Sequence, residues 1–300
     1  MSDVWEMDDA DVAGVAADLG LPGLFDVHVH FMPPQILRKV WAYFDAQGPL
    51  IGRPWPITYR GTDDERLAHL RSMGVKGFSA LAYAHKPGIA PFMNDWTEDF
   101  AADKPDCLWS GTFYPEPEAA TYVPELIGAG IEIFKAHVQV GDFAANDPLL
   151  EPVWGALAES GTPVVIHAGS GPAPGAHTGP EGVADVLSRH PDLALVIAHM
   201  GAPEVSAFMD LAERYDNVRL DTTMAFVGFF GHDPAATPEI RPRLIDLQSR
   251  ILLGSDFPNI PYVYANQIEG LLKLDLGDDW LRDVLWNNGA AFFGGGAFGA

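Results

Sequence analysis

The sequence LFDVHVH at residues 24–30 places two histidines, His28 and His30, at alternate positions of an apolar run. Alternate side chains of an extended strand point to the same face, so both imidazoles share a face with Asp26. The phenylalanine and valines between them form an apolar face that suits packing against helices. Two imidazoles one pleat apart can bind one metal ion, although an H-x-H pattern alone is short enough to arise by chance.

Seven further runs are typical of strands, because they are rich in Val, Ile, Leu or Phe and bounded by Gly, Pro, Asp or Asn. They lie at residues 75–83, 107–114, 131–137, 162–167, 193–199, 217–222 and 250–256. Segments typical of helices lie at residues 62–73, 93–102, 118–129, 148–160, 181–190, 203–215, 237–248 and 278–291. Strands that alternate with helices over roughly 250 residues predict a (β/α)8 TIM barrel. The competing open, doubly wound sheet would carry a G-x-G-x-x-G motif after its first strand, and none follows here.

The predicted barrel is a single domain over residues 1–300, since no change of composition marks a linker. We expect residues 31–61 to form an extended insertion after the first strand, and the Gly-rich residues 295–300 to form a flexible tail. The insertion and residues 223–236 both follow strand ends. In a barrel, both would therefore lie over the mouth at which active sites form.

Charge and composition exclude several classes of protein. The sequence has 48% hydrophobic and 20% charged residues, which is typical of a globular protein. Its net charge of −23 opposes binding to nucleic acid and to anionic membranes. A single cysteine, Cys107, excludes an internal disulfide and fits a reducing cytoplasm, and we find no signal peptide. No run approaches about 18 apolar residues, so we expect no membrane span.

Three more residues of metal-binding type stand at the ends of predicted strands. His167 ends the fifth strand, His199 the sixth and Asp256 the eighth. The carboxyl ends of the strands of a barrel converge on one mouth, so these side chains would meet the two histidines of the first strand. Histidine occurs 10 times in 300 residues, which is too rare for this coincidence of strand ends to arise by chance.

These motifs resemble the amidohydrolase superfamily, in the branch that holds the aminocarboxymuconate-semialdehyde decarboxylase-like proteins. The resemblance spans nearly the whole chain. It is carried by DVHVHFMPP (26–34), FKAH (134–137), PVVIHAGSG (163–171), VIAHMG (196–201), LLGSDFP (252–258) and WNNGAAFFG (286–294). It implies a metal-dependent enzyme with a TIM-barrel fold that acts on a small-molecule substrate.

Carried over residue by residue, the resemblance implies four metal ligands and one acid–base group. The ligands would be His28, His30, His167 and Asp256. His199 would act beside them as a general acid or base, and Asp256 would also accept a proton from water. Three neutral imidazoles and one carboxylate leave a divalent ion with a positive charge and an open position. The set suits one ion, with zinc favoured and manganese, iron or cobalt as alternatives.

Lys135 and His137, on the fourth strand, leave a second arrangement open. The resemblance implies that a carbamylated lysine at this strand bridges two metal ions in binuclear members, whereas Lys135 could instead bind a substrate carboxylate. We favour one ion, with His137 as a neighbour of the site. Asp26 is interpreted either as an acceptor for the metal-binding imidazoles or as a buried group bonded to the backbone.

Other residues are weaker candidates. Substrate contacts could come from Arg53, His85, Tyr114 and His177. An apolar lid, or a contact within a homo-oligomer, could come from Phe226, Phe229 and Phe230.

The sequence therefore predicts a hydrolase that cleaves a small polar amide, ester or lactone with metal-activated water. The alternative is a non-oxidative decarboxylase of an aromatic or muconate-type acid that uses the same metal site. A non-catalytic binding barrel is a third possibility, which the intact set of ligand residues disfavours. The G-x-S-x-G motif of serine hydrolases and the H-E-x-x-H motif of zinc proteases do not occur.

Overall fold

The structure is a computed structural model of the 300-residue chain, and it describes residues 5–229 and 239–293. The strands are β1 (Leu24–Asp26), β2 (Val75–Ser79), β3 (Cys107–Leu108), β4 (Ser110–Thr112), β5 (Ile133–His137), β6 (Val164–His167), β7 (Leu195–Ile197), β8 (Val218–Asp221) and β9 (Ile251–Leu252).

Helices follow or separate most of these strands. They are α1 (Asp9–Asp18), α2 (Pro34–Ile51), α3 (Asp63–Ser72), α4 (Ala90–Ala101), α5 (Ala119–Ala129), α6 (Val138–Gly141), α7 (Glu151–Ser160), α8 (Pro180–Arg189), α9 (Val205–Arg214), α10 (Ile240–Asp246), α11 (Ala265–Lys273), α12 (Asp278–Arg282) and α13 (Asn288–Phe292). Within residues 5–229 and 239–293, no helix combines the length and the apolar composition that crossing a bilayer requires.

The chain divides into two compact units. The first unit comprises Met1–Phe78 and Thr222–Ala300, and the second unit comprises Ser79–Asp221. In the first unit, β1 pairs in parallel with β2. The residues after β1 also run beside the residues after β9, because Val27 N–H donates to Leu253 O at 2.9 Å.

In the second unit, strands β4 to β8 form one continuous parallel sheet in chain order. Its register places His137 of β5 opposite His167 of β6. Phe113 anchors the core behind this sheet, with its ring centroid 5.9 Å from that of Phe134 and 5.3 Å from that of Trp154. Buried aromatic rings of this size contribute much of the hydrophobic stabilisation of a core.

Helices α1, α2 and α11 lie outside the helical segments predicted above. The segment 31–61, predicted as an extended insertion, contains the 18-residue α2. Its prolines and glycines suggest a loop, yet Pro34 opens the helix, where a proline is tolerated, and Gly52 ends it with a φ of +74°. Helix α11 has apolar residues at helical spacing, at Ala265, Ile268 and Leu271, so its sequence does carry a helical signal.

The regular strands are shorter than predicted. The predicted strand 107–114 is divided into β3 and β4, and the predicted strand 24–30 pairs regularly only as far as Asp26. Both metal-type histidines of that run therefore follow the strand rather than lie within it. The predicted flexible tail, 295–300, lies outside the described residues.

Candidate metal centre

Three side chains of the first unit converge on one point. His30 Nε2 lies 2.7 Å from Asp256 Oδ1, and His28 Nε2 lies 3.6 Å from the same oxygen. One ligand atom from each residue falls within 4.8 Å of the other two. The histidines are 1% and 3% exposed, and the Asp256 side chain is 13% exposed. Two imidazole nitrogens and one carboxylate oxygen in this arrangement fit one divalent cation with a position left open.

Main-chain pairing brings these side chains together. His30 N–H donates to Phe257 O at 2.7 Å, and Asp256 N–H donates to His28 O at 2.8 Å. Val29 forms a parallel bridge with Phe257. Because two adjacent extended segments are held in this register, the H-x-H pair on one segment faces the aspartate on the other.

A buried threonine orients the His28 ring. Thr223 Oγ1 lies 3.2 Å from His28 Nδ1, and Thr223 is fully buried. When Nε2 of His28 carries the lone pair, Nδ1–H donates to this hydroxyl, which fixes the tautomer that a metal ion requires. Sequence reasoning did not single out Thr223, and the available signal was its position two residues after the end of β8.

Asp26 lies beneath the centre and is fully buried. Its Oδ1 accepts from His28 N–H at 3.1 Å, and its Oδ2 accepts from the Tyr264 hydroxyl at 2.9 Å. Burial, followed by the charge of Asp26, raises the pKa of Tyr264 well above its ordinary value, so this hydroxyl stays a donor. Asp26 thus bonds to the backbone and to a tyrosine, and its role as an acceptor for the metal-binding imidazoles stays a prediction.

Asp256 has a left-handed backbone, with a φ of +65°. Aspartate tolerates this region better than most residues, but the conformation still costs on the order of 1–3 kcal/mol and persists only where the surroundings enforce it. Here the next turn enforces it, since Asn259 N–H donates to Asp256 O at 2.8 Å. Backbone strain of this kind is common at functional sites.

In the second unit, three imidazoles form a row at the ends of β5, β6 and β7. The His137 and His167 rings stack with centroids 4.1 Å apart and planes 13° apart, and the His199 ring meets that of His167 edge-on at 4.7 Å. His167 Nε2 lies 3.0 Å from Gly171 O, and His137 Nδ1 accepts from Val140 N–H at 3.3 Å. A His167 ring that donates from Nε2 carries its lone pair on Nδ1.

His199 lies in a tight turn that follows β7. Its φ is +56° and that of Met200 is +51°, so two consecutive non-glycine residues are left-handed. The Asp221 carboxylate, at the end of β8, accepts from His199 N–H at 2.8 Å and holds this turn in place. After Asp256, His199 is the second predicted site residue with a left-handed backbone, and the buried Asp221 carboxylate supports this conformation.

Lys135 is 1% exposed within the second unit. Its backbone oxygen accepts from the Thr112 hydroxyl at 2.8 Å, which fixes the strand at this point. A lysine is seldom fully buried without a functional or structural partner for its amine.

The weaker candidates lie in different surroundings. His177 is exposed and His85 is half-buried. The Arg53 guanidinium lies 4.9 Å from the ring centroid of Phe229. The Tyr114 hydroxyl donates to Gly141 O at 3.1 Å, and its pKa is raised mainly by burial and then by the charge of Asp142.

Two of the three phenylalanines predicted as a lid or a subunit contact are described. Phe226 is buried and Phe229 is half-buried. Phe230 lies outside the described residues. Among all the sequence-predicted site residues, the structure thus brings together His28, His30 and Asp256 in the first unit. It brings together a different group, the row of three imidazoles, in the second.

Comparison with known proteins gives the family. The family model described as amidohydrolase matches residues 25–295. No curated protein matches the chain.

Several solved structures are similar over their full length. An uncharacterized TIM-barrel protein from Bordetella bronchiseptica is 20% identical, with 90% of this chain and 98% of that chain covered and a TM-score of 0.71. A proposed 2-pyrone-4,6-dicarboxylic acid hydrolase from Pseudomonas putida is 17% identical, with 91% and 98% covered and a TM-score of 0.61. A 5-carboxyvanillate decarboxylase from Novosphingobium aromaticivorans, complexed with manganese and a nitrobenzoic acid, is 15% identical, with 91% and 97% covered and a TM-score of 0.59.

The likeness to a TIM-barrel protein over nearly the whole chain confirms the (β/α)8 fold predicted from strand–helix alternation. The family model covers nearly the whole chain as well, which confirms the resemblance carried by the sequence motifs. The chain belongs to the amidohydrolase family and is an enzyme.

Proposed function

We propose that this enzyme is a metal-dependent hydrolase that cleaves a small polar amide, ester or lactone. The observation that carries the proposal is the convergence of His28, His30 and Asp256 on one point in a buried environment. These residues would hold one divalent ion, for which zinc and manganese are the leading choices. When bound, the ion supplies Lewis acidity, which polarises a carbonyl oxygen and lowers the pKa of water.

We assign His167 as a fourth ligand, on the basis of the family resemblance and its position at the end of β6. The tautomer that donates to Gly171 O supports this role, because its lone pair is then on Nδ1. His137, stacked on the same ring, would hold the imidazole plane in position.

The proton transfers fall to Asp256 and His199. The Asp256 carboxylate is the partly exposed member of its cluster, so it can accept a proton from attacking water. His199, a buried imidazole with a fixed backbone, would then donate a proton to the leaving group. Both residues have strained backbones, which is the pattern expected where a fold positions reactive groups.

A second candidate is non-oxidative decarboxylation of an aromatic or muconate-type acid. The burial of Lys135 favours it, because a protonated lysine amine in a buried site would pair with a substrate carboxylate. His199 would then protonate the carbon that loses CO2, and the electron pair of the broken carbon–carbon bond would form the new C–H bond. If two ions are bound instead of one, Lys135 would be a carbamylated bridge.

Further roles follow from the sequence. We propose that Arg53, His85, Tyr114 and His177 include the residues that select the substrate. We also propose a single domain, a cytoplasmic location, assembly as a homo-oligomer and no nucleic-acid or membrane partner.

Elemental analysis of protein purified without added metal or chelator tests the proposal. We expect one ion per chain, which is lost together with activity in His30→Ala. Reaction in H2(18)O then separates the two chemistries, since a hydrolase incorporates solvent oxygen and a decarboxylase releases CO2. Protein that stays folded and active with no metal would overturn both.

A further inference from the structure

Asn259, which closes the turn that begins at Asp256, joins that turn to another part of the first unit. The residue is 1% exposed. Its Oδ1 accepts from Trp41 Nε1–H at 3.0 Å, and its backbone oxygen accepts from Trp55 Nε1–H at 2.7 Å. Trp41 belongs to α2, and Trp55 lies in the segment after that helix. Two indole groups of residues 31–61 therefore converge on one residue beside a candidate metal ligand.

The residue types at these three positions are complementary. An indole N–H group can only donate a hydrogen bond, and buried donors in proteins are nearly always paired. Asn259 supplies both acceptors, one from its side chain and one from its main chain. A leucine in its place would fill a similar volume, but it would take away the acceptor that Trp41 uses. The pairing thus depends on the asparagine side chain at one indole and on the backbone path at the other.

The two tryptophans are themselves held in place. The guanidinium of Arg66, a residue that is 4% exposed, lies 5.3 Å from the Trp41 ring centroid. Trp55 is 4% exposed. A third bond joins the same two parts of the chain, because Thr58 N–H donates to Ile260 O at 3.0 Å. The segment around α2 is therefore anchored along the turn and does not meet it at a single contact.

The contacts of Asn259 continue to the candidate metal centre. Asn259 N–H donates to Asp256 O at 2.8 Å, and Asp256 has a φ of +65°. A left-handed backbone at such a residue persists only where its surroundings enforce it. The carboxylate of the same residue lies 2.7 Å from His30 Nε2 through its Oδ1. Because a rotation of the Asp256 backbone would move this oxygen away from the imidazole, the groups that hold Asn259 also hold the oxygen.

We infer that Trp41 and Trp55 are positioning residues for the metal ligand Asp256, and that they act through Asn259. The inference rests on the proposed function, since it needs an ion at the candidate metal centre, and it gives the segment around α2 a part in retaining that ion. Coupling between two sites is reciprocal. The segment that strengthens ion binding is thus itself held more tightly when an ion binds.

The first test measures the Zn2+ affinity of the full chain by equilibrium dialysis against a competing chelator. Trp41→Phe and Trp55→Phe each remove one indole N–H group and keep an aromatic ring. Each should weaken Zn2+ binding about tenfold, at the lower end of the loss typical of partners outside the ligands. Trp280→Phe is the matched control, because Trp280 is buried in the same unit and its indole donates to Leu244 O at 2.9 Å. It should lower the Tm but leave the Zn2+ affinity equal to that of the parent protein.

A double-mutant cycle with Asn259→Ala separates action through Asn259 from a loss of packing. Asn259→Ala removes the acceptor of Trp41 but keeps the backbone oxygen that Trp55 uses. In the Asn259→Ala background, Trp41→Phe should therefore leave Zn2+ affinity unchanged, whereas Trp55→Phe should still weaken it about tenfold. A full effect of Trp41→Phe in that background would overturn the route through Asn259.

A titration of 15N-labelled protein with Zn2+ needs no substitution at Asn259. The indole resonances of Trp41 and Trp55, assigned by their absence from the two Phe variants, should shift when Zn2+ binds, while that of Trp280 should not. Unmoved Trp41 and Trp55 resonances, or Zn2+ affinities of the two variants equal to that of Trp280→Phe, would overturn the inference and leave the proposed function intact. A parent protein that binds neither Zn2+ nor Mn2+ would overturn the proposed function, and the inference with it.

Discussion

Both units of the molecule carry imidazoles at or just beyond strand ends, but they hold them differently. In the first unit, the Nε2 atoms of His28 and His30 approach one oxygen of Asp256. In the second unit, the rings of His137 and His167 stack on each other, and backbone groups bond to one nitrogen of each. The first arrangement gathers ligand atoms, whereas the second fixes ring planes.

The comparison has a chemical meaning. A carboxylate beside two imidazoles creates a site for a cation, while the stack of His137 on His167, with its bonds to backbone groups, orients rings for proton transfer or for ligation. We therefore assign metal retention chiefly to the first unit and proton transfer chiefly to His199 of the second.

The largest effect is expected from His30→Ala. It removes a ligand from the first-unit cluster, so metal affinity should fall by more than the roughly 100-fold that loss of a partner outside the ligands typically costs. Activity should fall with it. Equilibrium dialysis against a competing chelator measures the affinity, and His190→Ala, which alters a histidine bonded to Glu151, is the control. A metal content equal to that of the parent protein would contradict the assignment of the first unit.

His199→Asn tests the other half of the comparison. We expect kcat to fall by about 100-fold or more, as for the loss of a general acid or base, while the metal content remains unchanged. Steady-state kinetics on the substrate found by screening, together with elemental analysis, check both results. Full kcat with intact metal would show that His199 moves no proton in the reaction.

Thr223→Val removes the hydroxyl that orients His28 and keeps the shape of the buried side chain. Metal affinity should fall by about 10- to 100-fold, because a misoriented imidazole is a weaker ligand. Thr97→Val is the matched control, since Thr97 is equally buried in the second unit and its hydroxyl donates only to Asn94 O among the contacts described for it. Equal affinities in the two variants would show that the Thr223 hydroxyl has no orienting role.

The residues of the two units also show which features of the fold and the site can be predicted from the sequence. The fold and the pair of His28 and Asp256 could be predicted, because strand alternation and residues at strand ends are local signals. Thr223 could not be predicted, since its role depends on how the chain after β8 returns to the centre. The stack of His137 on His167 depends on the register of β5 and β6, which the sequence does not state. Helix α2 was missed because its prolines and glycines resemble those of a loop.

The smallest effect is expected from Gly201→Ala, which acts on the turn that carries His199. Gly201 has a φ of +74°, and an added Cβ would meet the Phe208 side chain. The left-handed backbone alone should cost about 1–2 kcal/mol for alanine. Gly88→Ala separates the two causes, because Gly88 has the same φ of +74° and an added Cβ there meets nothing within 4 Å.

Gly201→Ala should therefore lower the free energy of unfolding by more than Gly88→Ala, as measured by urea denaturation. Because the Phe208 contact displaces the turn, kcat should also fall in Gly201→Ala but not in Gly88→Ala. The first-unit cluster shares no residue with this turn, so the metal content of both variants should equal that of the parent protein. Loss of metal in Gly201→Ala would mean that the second unit retains the ion as strongly as the first. The assignment of metal retention to the first unit and of proton transfer to the second would then be wrong.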